Sequence, residues 1–156
     1  MALKVGDAAP DATVFRAPRQ PMQLYDYYRG RTTVLLFFPL AFSGTCTEEM
    51  CTLAEDYSLY QDLGAQVLGI SVDSPYVNVK FAEACQASFP IVSDFNREAT
   101  RAFDVVRPDL GGLRDVSERT VFVIDPAGRI RYVWMGENPG VMPDFEAIQA
   151  AIRQIT

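Results

Sequence analysis

Hydrophobic and polar positions alternate between two regimes along the chain. Residues 33–38 (Thr-Val-Leu-Leu-Phe-Phe) and 66–72 (Gln-Val-Leu-Gly-Ile-Ser-Val) are continuous apolar runs rich in strand formers. Runs of this kind predict central strands buried on both faces. Between them, a helical stretch is expected to reach about Leu63. Its first turn carries Thr47, Glu48 and Glu49, and Gly64 stands just past its end, as helix signals require. Ser74-Pro75 opens a second helix, with serine at the N-cap and proline at the first helical position. Residues 89–92 read as a short extended piece and 96–103 as a short helix. Residues 120–124 and 129–134 form a hairpin around Asp125-Pro126-Ala127-Gly128, a sequence suited to a type I turn. The last helix is expected over 144–154. Upstream, the turn-rich first thirty residues can hold a short hairpin from strands near 13–15 and 22–24.

The order β-α-β-α-β-α-β-β-α, after that N-terminal hairpin, predicts an α/β three-layer sandwich: a mixed central sheet with helices on both faces. The pattern alone admits other small α/β folds. At 156 residues, one domain spanning 1–156 is expected.

Composition narrows the chemistry. The chain has three cysteines and no histidine. That excludes a Ser-His-Asp triad, a Cys-His pair and His-ligated metals. A net charge of -6 argues against a nucleic-acid partner, which wants a basic face. The longest apolar run, residues 34–42, is too short to span a membrane and is interrupted by Pro39. The first residues carry Asp7 and no apolar stretch of signal-peptide length, so a cytoplasmic location is expected. An odd cysteine count in a reducing compartment points to redox or catalytic use, or to plain packing, before structural disulfides.

The informative segment is Pro39-Leu40-Ala41-Phe42-Ser43-Gly44-Thr45-Cys46-Thr47-Glu48-Glu49-Met50-Cys51. A buried strand ends, a loop turns, and Cys46 falls in the first turn of a helix. Free N–H groups and the helix dipole there favour thiolate over thiol. A fast thiol enzyme must also stabilise charge as it moves in the transition state. Without histidine, the donors left are backbone N–H groups, a hydroxyl such as Ser43, and an arginine.

Pro39-x-x-x-Ser43-x-x-Cys46 resembles the peroxiredoxin active-site motif, Pro-x-x-x-Thr/Ser-x-x-Cys. Other segments resemble the family's landmarks in order: residues 5–11, 70–74 (Ile-Ser-Val-Asp-Ser), 89–94 (Phe-Pro-Ile-Val-Ser-Asp), and 119–125 with Arg119 leading a strand. Residues 37–42 resemble the alkyl hydroperoxide reductase E type. The resemblance implies a thioredoxin-like fold and a thiol peroxidase acting on hydrogen peroxide and organic hydroperoxides, with no metal or bound cofactor. It implies that Cys46 is the peroxidatic nucleophile, that Ser43 binds the peroxide oxygens, and that Arg119 holds thiolate and substrate. Pro39 would shield the cysteine from water, and Glu49 would orient the arginine. It also implies a thioredoxin or glutaredoxin-like reductant, and a homodimer to which Phe42 could contribute.

Cys46 and Cys51 are five residues apart on one helix. An ideal helix then separates their Cα atoms by about 8.6 Å, beyond the roughly 7 Å limit for a disulfide. Pairing them requires the helix start to unwind. Met50, Leu53, Tyr57 and Tyr60 form an apolar stripe that includes the Cys46 side, while Cys51 falls on the flank. The C-x4-C spacing is similar to that of the bacterioferritin comigratory (Q-type) peroxiredoxins, which implies that Cys51 resolves the Cys46 sulfenate as an intramolecular disulfide. Some Q-type members carry a resolving cysteine in the second helix, but a turn earlier, near Ala82, so Cys85, near the end of that helix, reads as a small buried packing residue. The acids Glu48, Glu49, Glu55 and Asp56 could suggest a metal site, but they are spread around the helix and read as a solvated face. Two other functions compete with a peroxidase: a thioredoxin-like disulfide oxidoreductase, which wants C-x-x-C, and a non-enzymatic redox-sensing thioredoxin-fold module.

Overall fold

The structure is a computed structural model that describes residues 3–155; Met1 and Ala2, the start of the N-terminal segment read above, lie outside the described residues. In chain order the elements are β1 (Thr13–Ala17), β2 (Gln20–Gln23), α1 (Leu24–Tyr28), β3 (Thr32–Phe37), α2 (Gly44–Glu55), α3 (Tyr57–Asp62), β4 (Ala65–Ser71), α4 (Pro75–Cys85), β5 (Ile91–Ser93), α5 (Glu98–Ala102), β6 (Val106–Leu110), β7 (Leu113–Ser117), β8 (Thr120–Ile124), β9 (Ile130–Met135) and α6 (Phe145–Arg153).

Seven strands form one mixed sheet in the order β2-β1-β5-β4-β3-β8-β9. Strands β3, β4 and β5 run parallel, while β8 lies antiparallel to β3 and β9 antiparallel to β8. Every residue of β3 is buried, because it sits mid-sheet between two apolar layers. Its alternate side chains serve opposite faces. Val34, Leu36 and Phe38 join Cys46, Met50, Leu53, Phe81 and Ile148 of α2, α4 and α6. Leu35 and Phe37 join Leu24, Tyr28, Ala99 and Phe103 on the other face. The expected α/β sandwich with helices on both faces is therefore present, and among the described residues no helix is long and apolar enough to cross a membrane.

Helix α2 sits close to the sheet at one point. A Cβ on Gly69 of β4 would stand 3.2 Å from Met50 Sδ, so the glycine leaves room for the methionine and lets the helix down onto the strands.

Three features depart from the sequence reading. The helix expected to reach Leu63 is two helices, broken at Asp56 (φ −96°, ψ 7°). Beyond the break, the Tyr57 ring packs on Phe89 at 5.3 Å and Tyr60 is buried. Helix α1 has only five residues, too few to display a period. The β6–β7 hairpin, a separate two-stranded sheet, is largely exposed and lacks the alternation that marks a half-buried strand. Gly111-Gly112 form its tip, both at positive φ (58° and 92°).

Phe122 is fully buried and its ring lies 5.2 Å from Phe103 and 6.0 Å from Phe37. Phe122→Ala is expected to lower stability by about 3–5 kcal/mol. The check is the denaturant midpoint, which should fall with the unfolding slope unchanged.

Candidate active site

Three pieces of chain converge at the carboxyl end of β3. The strand runs into buried Pro39 and a loop that carries Ser43 to the N-cap of α2, in extended backbone (φ −71°, ψ 156°). The loop is pinned from the neighbouring strand: Ala41 N–H donates to Asp73 Oδ2 at 2.7 Å, and Ser71 Oγ donates to the same oxygen at 2.7 Å. Phe42 holds a left-handed conformation (φ 66°) and lays its exposed ring 5.0 Å from that of Phe81 on α4.

Cys46 is the third residue of α2 and 1% exposed. It is the free cysteine among the described residues. The first three N–H groups of a helix have no intrahelical acceptor, so the sulfur sits at the positive end of the helix dipole.

Arg119 arrives from the opposite side. The β3–β8 register pairs Phe37 with Thr120, which sets Arg119 beside the point where β3 gives way to the Pro39 loop. Its guanidinium is 2% exposed. Nη2 donates to Cys46 Sγ at 3.0 Å and to the Pro139 carbonyl at 2.8 Å. Nε donates to the same carbonyl at 3.1 Å, and Nη1 pairs with Glu49 Oε1.

Glu49 belongs here because it lies one turn after Cys46 on the same face. It is fully buried, which corrects its placement on a solvated helix face: its side chain turns inward to Arg119, while its neighbour Glu48 is exposed. Its Oε2 has no hydrogen-bond partner. Burial pushes its pKa up to about 7 from an ordinary 4.5, against the lowering effect of the Arg119 charge and hydrogen bond.

At the head of α2, beside Arg119, is a pocket of about 240 Å³ lined by Pro39, Leu40, Ser43, Leu110, Arg119 and Pro139, among others. Ser43 is exposed at this mouth, and its hydroxyl donates to the Leu40 carbonyl at 3.0 Å.

Five of the six residues singled out in the sequence thus gather at one place: Pro39, Ser43, Cys46, Glu49 and Arg119. Cys51 does not join them. It lies further along α2, bonded to Cys85 of α4 with the two Cα atoms 4.7 Å apart. The reading of Cys85 as mere packing is corrected by this bond. Helices α2 and α4 lie on the same face of the sheet, which brings the flank of one against the end of the other.

The sequence reading also missed Pro139, Asp73 and Leu110. Asp73 was in a recognised segment, but its role as a loop anchor is a contact across 32 residues. The Pro139 carbonyl and Leu110 carried no signal, since a backbone acceptor and a hairpin leucine look like any other.

A sheet of this topology, with a buried cysteine at a helix start and an arginine on its sulfur, defines a thioredoxin-fold protein built for thiol chemistry. The AhpC/TSA family model matches residues 5–133. The alkyl hydroperoxide reductase E of Mycobacterium tuberculosis is 31% identical over 156 residues, covering 99% of each chain. A chloroplastic 2-cysteine peroxiredoxin of Chattonella marina is 31% identical over 142 residues, 85% of this chain and 70% of that one. The crystal structure of the peroxidoxin BcpB from Mycobacterium tuberculosis superposes with a TM-score of 0.85 at 29% identity, covering 99% of each chain. The chain belongs to the AhpC/TSA family, that of the peroxiredoxins. Its activity is that of a thiol peroxidase.

The raised pKa of Glu49 has a consequence for stability. The native state keeps a proton that the unfolded chain gives up above about 4.5. The associated stability is fully present below that pH and is lost as pH rises through about 7. Stability should therefore decline across this window, and Glu49→Gln should flatten the decline. Denaturant midpoints at half-unit pH steps, compared between parent and variant, check this.

Proposed function

We propose that Cys46 is the peroxidatic nucleophile of this chain. Its thiolate attacks one oxygen of a hydroperoxide, the O–O bond breaks, and sulfenic acid forms as water or an alcohol leaves. The observation that carries this reading is the contact from Arg119 Nη2 to Cys46 Sγ at 3.0 Å, made by an arginine that also lines the pocket. An arginine there stabilises the thiolate and offsets charge on the departing oxygen. Glu49 and the Pro139 carbonyl hold the guanidinium plane. Pro39 covers the sulfur from the strand side. Ser43 turns its hydroxyl from Leu40 toward the peroxide when substrate enters.

The substrates proposed are hydrogen peroxide and organic hydroperoxides, and the apolar lining from Pro39, Leu40 and Leu110 suits the latter. Cys51 resolves the sulfenate as an intramolecular disulfide, once reduced and once the head of α2 has unwound. A thioredoxin or glutaredoxin-like protein in the cytoplasm returns the electrons. A homodimer is proposed through the exposed apolar surface that continues from the active-site loop. Leu40, Val77, Phe95 and Leu113 line one depression there, and Phe42 is 54% exposed nearby.

Cys46→Ser should abolish peroxide consumption supported by dithiothreitol. Arg119→Lys keeps the charge but not the planar fork, and should lower kcat/KM for peroxide by about 10²-fold. A Cys46→Ser protein that consumes peroxide at the parent rate defeats the assignment.

A further inference from the structure

We propose that Cys51 and Cys85 are a relay pair that takes the oxidising equivalents off Cys46, so that the bond between them is the end state of the catalytic cycle. The proposal rests on the reading of Cys46 as nucleophile. It also gives Cys85 a chemical role.

The three sulfurs share one side of the molecule. Cys46 and Cys85 belong to the same buried cluster, and Cys51 packs against it. Their possible pairings differ in what they demand of the fold. A Cys46–Cys51 bond needs Cα atoms that an intact helix holds about 8.6 Å apart. It therefore melts the first turns of α2 and removes the sulfur from Arg119. The Cys51–Cys85 bond exists with α2 whole from Gly44 to Glu55, with Arg119 on Cys46, and with Cα atoms 4.7 Å apart.

The steps balance as follows. Peroxide oxidises the Cys46 thiolate to the sulfenic acid. The Cys51 thiol condenses with it, forming the Cys46–Cys51 bond and releasing water. The Cys85 thiol then attacks Cys51 Sγ, displaces Cys46 and passes its proton to it. One peroxide has been reduced, Cys51 and Cys85 have each lost one electron, and Cys46 is a thiol again. Refolding of α2 and recovery of the Arg119 contact drive the last exchange forward. The product also suits a reductant. Cys51 is partly exposed whereas Cys85 is 7% exposed, so an incoming dithiol attacks Cys51 and releases Cys85.

The test uses the whole chain, reduced with dithiothreitol, desalted and given one equivalent of hydrogen peroxide. Free thiols are then alkylated and disulfides mapped by mass spectrometry. Trypsin cuts at Arg31 and Lys80, and a glutamate-specific protease cuts at Glu48, Glu49 and Glu83, so the three cysteines fall on separate peptides. The expected product links the Cys51 and Cys85 peptides and leaves Cys46 alkylated. In Cys46→Ser the same link should form about a hundredfold more slowly, since ordinary thiols react poorly with peroxide. In Cys85→Ser the reaction should stop at Cys46–Cys51, with Cys46 closed to alkylation. A parent product ending at Cys46–Cys51 with Cys85 alkylated overturns the relay. So does a Cys46→Ser protein that forms the Cys51–Cys85 link at the parent rate. The parent mapping needs no variant, so misfolding of one leaves the test intact. Peroxide reduction by Cys46→Ser at the parent rate would instead overturn the assignment of Cys46, a result separate from either of these.

Discussion

The buried guanidinium of Arg119 is the contact on which the site depends. A charge removed from water is tolerable only when nearly all of its donors are engaged. Here Nε, Nη1 and Nη2 reach a carbonyl, a carboxylate and a sulfur on two other parts of the chain. Each partner needs the arginine in turn. Glu49, fully buried, would otherwise be an unpaired carboxyl group, and the Cys46 sulfur would lose the guanidinium that donates to it. The result ties β8, α2 and the Pro139 loop into one unit, in which a shift of any member leaves another unsatisfied.

That unit is held in place by the sheet below it. Strand β3, buried on both faces, runs the loop out at the level of α2, and a Cβ on Gly69 would crowd the Met50 sulfur that packs the helix onto the sheet. Asp73 then fixes the loop from the end of β4. The reactive end of α2 is thus secured by polar contacts, while its flank is secured covalently to α4. In the proposed cycle the helix start is the part that moves. The Cys51–Cys85 bond is open at that stage, and it closes as the helix start refolds.

The absence of histidine finds its explanation in this arrangement. The proposed chemistry removes no proton by imidazole. A helix terminus and a buried, fixed arginine do the electrostatic work instead. Burial carries the Glu49 pKa up to about 7, which lets pH act on the site through this carboxyl group.

Local pattern was sufficient for the central strands, the Ser74-Pro75 helix start, the 120–134 hairpin and the last helix, because burial and capping write themselves into nearby residues. It was also sufficient to mark Ser43 and Cys46, which lie within one loop and turn, while Pro39 was marked by family resemblance. Arg119 and Glu49 were named through family resemblance, and the register of β8 against β3 brought the arginine within reach of the carboxylate and of the sulfur. The β6–β7 hairpin escaped notice because exposed strands need no hydrophobic alternation. The partner of Cys51 escaped for a different reason. Sequence distance on one helix shows that Cys46 and Cys51 cannot bond while that helix is intact, but the docking of α2 beside α4 decides that Cys85, 34 residues away, lies within bonding distance. Which residues can do chemistry is a property of the sequence; which of them meet is decided by packing, because side chains on different elements are brought together only when the sheet and its helices close around a common core.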